Sequence, residues 1–122
     1  MGIQEELLIK AKTNKGVYLL QLTGDITKKS GKQLLEWHNW EAGLPEQSEK
    51  LILDLGRVNY INSSGIADLI RLVRIGKDGL YKSGCFGLNY HYEKLFHMVG
   101  LTKWLTIYPS EWAAMDTETE VG

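Results

Sequence analysis

Apolar and polar positions along this chain fall into short blocks whose period changes several times. Leu7 to Lys12 alternates loosely and stops at Thr13-Asn14-Lys15-Gly16, a turn signal, and Val17 to Leu22 resumes as a second strand. The two predict an N-terminal hairpin, and Thr23-Gly24-Asp25 closes its second strand. Thr27 or Ser30 is placed to cap a helix carrying Leu34, Leu35, Trp37 and Trp40, with the two tryptophans three apart on one face, before Gly43-Leu44-Pro45 stops it. A polar loop leads to Lys50. Leu51-Ile52-Leu53-Asp54-Leu55 is almost continuously apolar, as in a strand covered on both faces. Asp54 interrupts it and needs a partner or an exposed end.

Ile61-Asn62-Ser63-Ser64-Gly65-Ile66 then reads as a turn opening a helix from about Ser64 to Gly76, with Ile66, Leu69, Ile70 and Val73 as its apolar stripe. Arg71 and Arg74 fall on other faces, and Asp78-Gly79 ends the unit. Cys85 to Leu88 predicts a short strand. Tyr92 to Val99 predicts a short helix with Leu95, Phe96 and Val99 inward, ended by Gly100. Trp104 to Tyr108 predicts a last strand. Ser110 caps a final short helix in which Trp112 and Met115 are available for packing. Strands alternating with helices give an α/β layer, and the leading hairpin makes its sheet mixed. Residues 1–115 read as one domain, and residues 116–122 as an acidic, disordered tail.

The length of 122 residues suits a single domain, and 43% hydrophobic with 24% charged residues is enough for a real core. The formal net charge of −1 provides no global field for nucleic acid or an acidic membrane. Cys85, the single cysteine, reads as a buried inert thiol. No C-x-x-C spacing occurs, and His38, His91 and His97 are too scattered for a metal site, so no metal or cofactor is expected. With no apolar run near the ~20 residues that span a bilayer, and no signal-peptide pattern, the chain reads as cytoplasmic and not inserted in a membrane.

The chemistry concentrates at Ser63 and Ser64. A serine at the start of a helix can simply cap it, but capping requires one hydroxyl and not two. Here a loop tip makes Ser63 accessible, and the N–H groups of a helix N-terminus favour negative charge. A phosphate on Ser63 would add about two negative charges facing any docked partner. Ser64 reads as the structural, helix-initiating member of the pair. Gly65 allows close backbone approach. Ile66 belongs either to a partner surface or to the core, and Asp25 is either a solvated strand-end charge or a partner contact. Trp37 and Trp40 read as core with one partly exposed ring, or as a binding patch. Tyr90-His91-Tyr92 could place two tyrosines on the surface. A serine at a strand–helix bend also suggests a nucleophile elbow, but Gly-x-Ser-x-Gly is absent, Ile61 standing in the first glycine's place. No catalytic residue is assigned, and the chain reads as a non-enzyme.

The run from Leu51 through Asp54-Leu55, Val58 and Asn62-Ser63-Ser64-Gly65-Ile66 resembles the core signature of STAS domains, which include the bacterial anti-sigma factor antagonists. Leu22-Thr23-Gly24-Asp25-Ile26, Phe96-His97-Met98-Val99-Gly100-Leu101 and Ser110-Glu111-Trp112-Ala113-Ala114 resemble further family segments, in the family's order. The resemblance implies a mixed sheet of four or five strands with helices mainly on one face. It also implies partner switching. The unphosphorylated antagonist binds an anti-sigma factor that is a GHKL-type serine kinase, phosphorylation releases it, and a PP2C-type phosphatase resets it. Carried over by position, the acceptor is Ser63, and the partner-binding residues are Asp25, Thr27, Asn62, Ser63, Ser64, Gly65 and Ile66. The chain departs from the pattern at Asn62 and Thr27, where the family has acids. Those departures support an alternative, a non-switching STAS scaffold or ligand-binding module in a signalling or transport assembly.

Overall fold

The computed structural model describes residues 7–79 and 81–116. Residues 117–122, most of the expected tail, lie outside the described residues. Five strands form one sheet in the order of the sequence: β1 (Leu8–Asn14), β2 (Val17–Ile26), β3 (Lys50–Ile61), β4 (Lys82–Phe86) and β5 (Leu105–Ile107). The β1–β2 pair is antiparallel and every later pair is parallel, so the sheet is mixed as the hairpin predicts. The hairpin turn is Lys15-Gly16, with φ of 51° and 82°. Two consecutive positive φ values suit the twist of a two-residue hairpin, and Gly16 takes the second at no steric cost.

Helices α1 (Lys28–Leu35), α2 (Ser63–Asp78) and α3 (Tyr90–Met98) supply one large core with Leu20, Leu22, Leu51, Leu53 and Leu55 of the sheet. Phe96 of α3 and Leu72 of α2 are fully buried in it. The short α4 (Glu111–Met115) covers the other face, where Ala114 packs with Val17, Leu19, Ile52 and Phe86. The close crossing of α1 and α2 depends on Gly31, because a Cβ there would overlap the Asp68 carboxylate. Asp68 in turn pairs with Arg71.

Several elements differ from the sequence expectation. The third strand continues past Leu55 to Ile61 through two register shifts against β2, which end by pairing Ile26 with Ile61. Beyond Asp54, where the pairing with β4 stops, β3 pairs with β2 as its one neighbouring strand among the described residues. Gly56, Arg57, Asn59 and Tyr60 are therefore exposed, and the segment lacks the apolar pattern of a covered strand. Asp54 finds its partners at that point: the Gly56 N–H donates to it at 3.0 Å, Gln21 Nε2 at 3.3 Å, and Arg57 lies 3.7 Å away.

Trp37 and Trp40 do not share a helix. Helix α1 ends at Leu35, and Trp40 opens a separate 3₁₀ turn, Trp40–Ala42. Trp40 is buried with its indole N–H donating to the Leu34 carbonyl at 3.1 Å, whereas Trp37 remains exposed and donates to the Tyr18 hydroxyl at 3.0 Å. Helix α3 begins at Tyr90 rather than Tyr92, because Asn89 Oδ1 caps it through the Tyr92 N–H at 2.9 Å. Val99, 42% exposed, follows the helix as its C-cap instead of facing inward, and Gly100 takes the left-handed conformation after it. Trp112, expected to pack, is 75% exposed, and Ala114 takes the buried position.

Candidate functional site

Ile61 ends β3 in the core, and the chain turns out of the sheet at Asn62. Two backbone bonds and one side-chain bond fix that turn. The Asn62 N–H donates to the Ile26 carbonyl at 3.1 Å, the Asn62 carbonyl accepts from the Ile66 N–H at 2.9 Å, and Asn62 Oδ1 accepts from the Gly65 N–H at 2.8 Å. Asn62 is thus the N-cap of α2, a role that the sequence left open between Asn62 and the two serines. Asparagine is among the best caps, since its short side chain reaches the third N–H of the helix.

Ser63 is consequently the first residue of α2, exposed and not used as the cap; Ser64 follows half-buried. The N–H groups of these two residues have no acceptor within the helix. No acidic residue stands in the first turn of α2 or of α1. Ser63 therefore lies where peptide dipoles favour an added anion.

The end of β2 forms the other half of the corner. Asp25 is exposed, and its carbonyl accepts from the buried Ser30 hydroxyl at 2.7 Å. Ser30 Oγ also accepts from the Thr27 N–H at 2.7 Å, which ties the start of α1 to the strand end. The structure thus brings Asp25, Thr27, Asn62, Ser63 and Ser64 together at one corner.

Gly65 and Ile66 lie beneath it. A Cβ at Gly65 would overlap the Ile26 carbonyl oxygen, so glycine is what lets α2 sit against the end of β2. Ile66 is only 8% exposed and belongs to the core. These two shape the corner from inside instead of offering contact surface, since a residue at the first inward position of an amphipathic helix is drawn to the core.

Sequence reasoning named Ser30 only as a candidate cap of α1 and missed its bond to the Asp25 carbonyl, and it missed Tyr92 as a support. Tyr92 is buried, and its hydroxyl oxygen accepts the Ile61 N–H at 3.0 Å, which fixes the residue just before the turn. The signal available was the capping spacing Asn89-x-x-Tyr92, which places Tyr92 on the first turn of a helix. Of the two tyrosines considered surface residues, only Tyr90 is exposed, at 73%.

Cys85 is buried as expected, and burial, reinforced by Glu93, pushes its thiol up to about 12. A thiol so protonated is a poor nucleophile. Among the described residues no cluster of three or more His, Cys, Asp and Glu side chains is placed to hold a metal ion. No described helix is long and apolar enough to cross a membrane.

The STAS domain family model matches residues 9–114, and the chain belongs to that family. The fold agrees with solved structures of low identity. A Thermotoga maritima protein provisionally described as an anti-sigma factor antagonist is 17% identical with a TM-score of 0.75, over 88% of this chain and 91% of that one. The Bacillus cell fate determinant SpoIIAA in its phosphorylated form is 15% identical with a TM-score of 0.65, over 87% and 96%. A sulfate transporter family protein from Wolinella succinogenes is 14% identical with a TM-score of 0.68, over 84% and 85%. No curated protein matches the sequence.

Proposed function

We propose that this STAS domain is an anti-sigma factor antagonist that works by partner switching, with Ser63 as its phosphate acceptor. The observation that carries this reading is the division of labour at the turn. Asn62 caps α2, so the exposed hydroxyl of Ser63 is left without a structural task. In the unphosphorylated state the corner of Asp25, Thr27, Asn62, Ser63 and Ser64 docks on an anti-sigma factor of the GHKL kinase type. The Ser63 oxygen attacks the γ-phosphorus of ATP, the bond to the β-phosphate bridge breaks, ADP leaves, and the hydroxyl proton passes to a base on the kinase. The new dianion at the centre of the contact releases the partner. A PP2C-type phosphatase returns the protein to its binding state. Similarity to anti-sigma antagonist structures supports the class of partner.

One observation favours a second reading, a binding module that does not switch. Both positions where the family has an acid are neutral here: Asn62 Oδ1 is spent on the cap, and Thr27 caps α1. Asp25 is the remaining carboxylate of the five-residue corner. The two readings separate when ATP and Mg²⁺ are added to a complex with a candidate anti-sigma kinase. Switching predicts that the complex dissolves with wild type and persists with Ser63→Ala. Persistence with both proteins supports the static module.

A further inference from the structure

The charge around Ser63 does not fit a general surface. Lys28 and Lys29 occupy the first turn of α1, where the helix dipole disfavours positive charge. Both are exposed, and α1 contains Lys32 as well and no acid. The Ile26 carbonyl bonds directly to Asn62, so this lysine-bearing turn starts beside the start of α2. On the other side, the Tyr92–Ile61 hydrogen bond brings the first turn of α3 to the same corner. There Tyr90 is exposed, with Lys94 Nζ 5.5 Å from its ring, and Tyr60, 51% exposed, immediately precedes Ile61. Asp25 is the exposed acid of the corner, and half-buried Glu93 stands in the first turn of α3. In a chain of net charge −1, the segments joined to the Ile61–Asn62 turn, the start of α1 and the first turns of α3, thus carry exposed lysines and an exposed aromatic ring. Lysines against a helix dipole weaken the fold locally, and such breaches of local preference mark surfaces that meet something outside the chain.

We propose that this corner is a basic, aromatic-flanked docking surface for an acidic face of a partner protein, in which Lys28, Lys29 and Lys94 meet carboxylates while Tyr60 and Tyr90 supply apolar contact. Charge complementarity identifies the occupant. Three lysines are too few to hold a polyphosphate backbone strongly at physiological salt, which favours an acidic protein over a nucleic acid. The inference rests on the switch reading for its regulation, because a phosphate on Ser63 would offset the lysines and remove the attraction for an acidic partner. The partner would thus be chosen by carboxylates facing α1.

The test is an amide chemical-shift titration of the full chain with poly-L-glutamate at low salt, repeated with a random single-stranded DNA oligonucleotide. Lys10 and Lys12 in the hairpin serve as internal controls. The expected result is saturable shifts at Lys28, Lys29, Ser63 and Tyr90 with polyglutamate, at least about fivefold tighter than at Lys10 and Lys12, and lost in the Lys28→Glu/Lys29→Glu variant whose spectrum stays dispersed. Shifts no stronger than at the control lysines, or tighter binding of the oligonucleotide, would overturn the proposal. Failure of the switch reading is separately visible. Phosphate on Ser63 without an acidic preference leaves the switch and removes this inference, whereas acidic preference without phosphorylation does the reverse.

Discussion

The buried hydroxyl of Tyr92 accepts the backbone N–H of Ile61 at 3.0 Å, joining α3 to the last residue of β3 one step before the turn that presents Ser63. Tyr92→Phe would leave that buried N–H without its acceptor, at a cost of about 1–3 kcal/mol. Denaturant unfolding should show the loss, and hydrogen exchange at Ile61 should accelerate more than at Leu53 in the centre of β3. Unchanged exchange at Ile61 would show that Tyr92 does not hold the turn.

Asn62 caps α2, so Asn62→Ala should destabilise the protein by about 1 kcal/mol. Asn62→Asp should keep the cap, and should retain or raise stability because a carboxylate suits a helix N-terminus. The same variant restores an acid beside Ser63 and should raise the phosphorylation rate by a candidate kinase. Thermal unfolding and phosphate incorporation measured on both variants check this pair of outcomes. A drop in stability for Asn62→Asp equal to that of Asn62→Ala would contradict the cap.

Gly65 has no room for a side chain, because the Ile26 carbonyl occupies the space. Gly65→Ala should force the start of α2 away from β2 and destabilise by about 1–3 kcal/mol, in the range of overpacked sites. Helix propensity alone would make the same change favourable by up to about 1 kcal/mol. The sign of the effect in a denaturation curve therefore decides between the two.

Burial raises Cys85 from its ordinary 9.0 to about 12 and Tyr81 from 10.0 to about 12. A raised value means that the folded state holds these protons more tightly than the unfolded chain. Their contribution to stability is complete below pH 9 and is lost as pH climbs from about 9 to about 12. Stability should fall over that window, with a shallower fall in Cys85→Ala. Thiol-reactive reagents at pH 8 should label native Cys85 far more slowly than the unfolded chain.

The sequence showed the hairpin, the strand around Leu53, the helix after the serine pair and the Gly100 stop, because each is marked by local period or turn chemistry. Other features escaped it. The extension of β3 to Ile61 depends on register shifts against β2, which leave no local pattern. The break between Leu35 and Trp40 is tertiary, since Trp40 gains burial and a bond to the Leu34 carbonyl only by leaving the helix. At the site, the residue types were legible but their division of roles was not. Asn62, Ser63 and Ser64 are all good caps, and only the bond from the Gly65 N–H to Asn62 Oδ1 shows which one serves. The burial of Ile66 follows the stripe it begins with Leu69 and Val73, yet a first-turn residue can face either way until the strand beneath it is placed.

The most direct test of the account is intact-mass analysis of wild type and Ser63→Ala after incubation with a candidate anti-sigma kinase and Mg-ATP. The account predicts a single added phosphate on wild type and none on Ser63→Ala. Kinase that binds the wild type and adds no phosphate, or a phosphate that persists in Ser63→Ala, would contradict it.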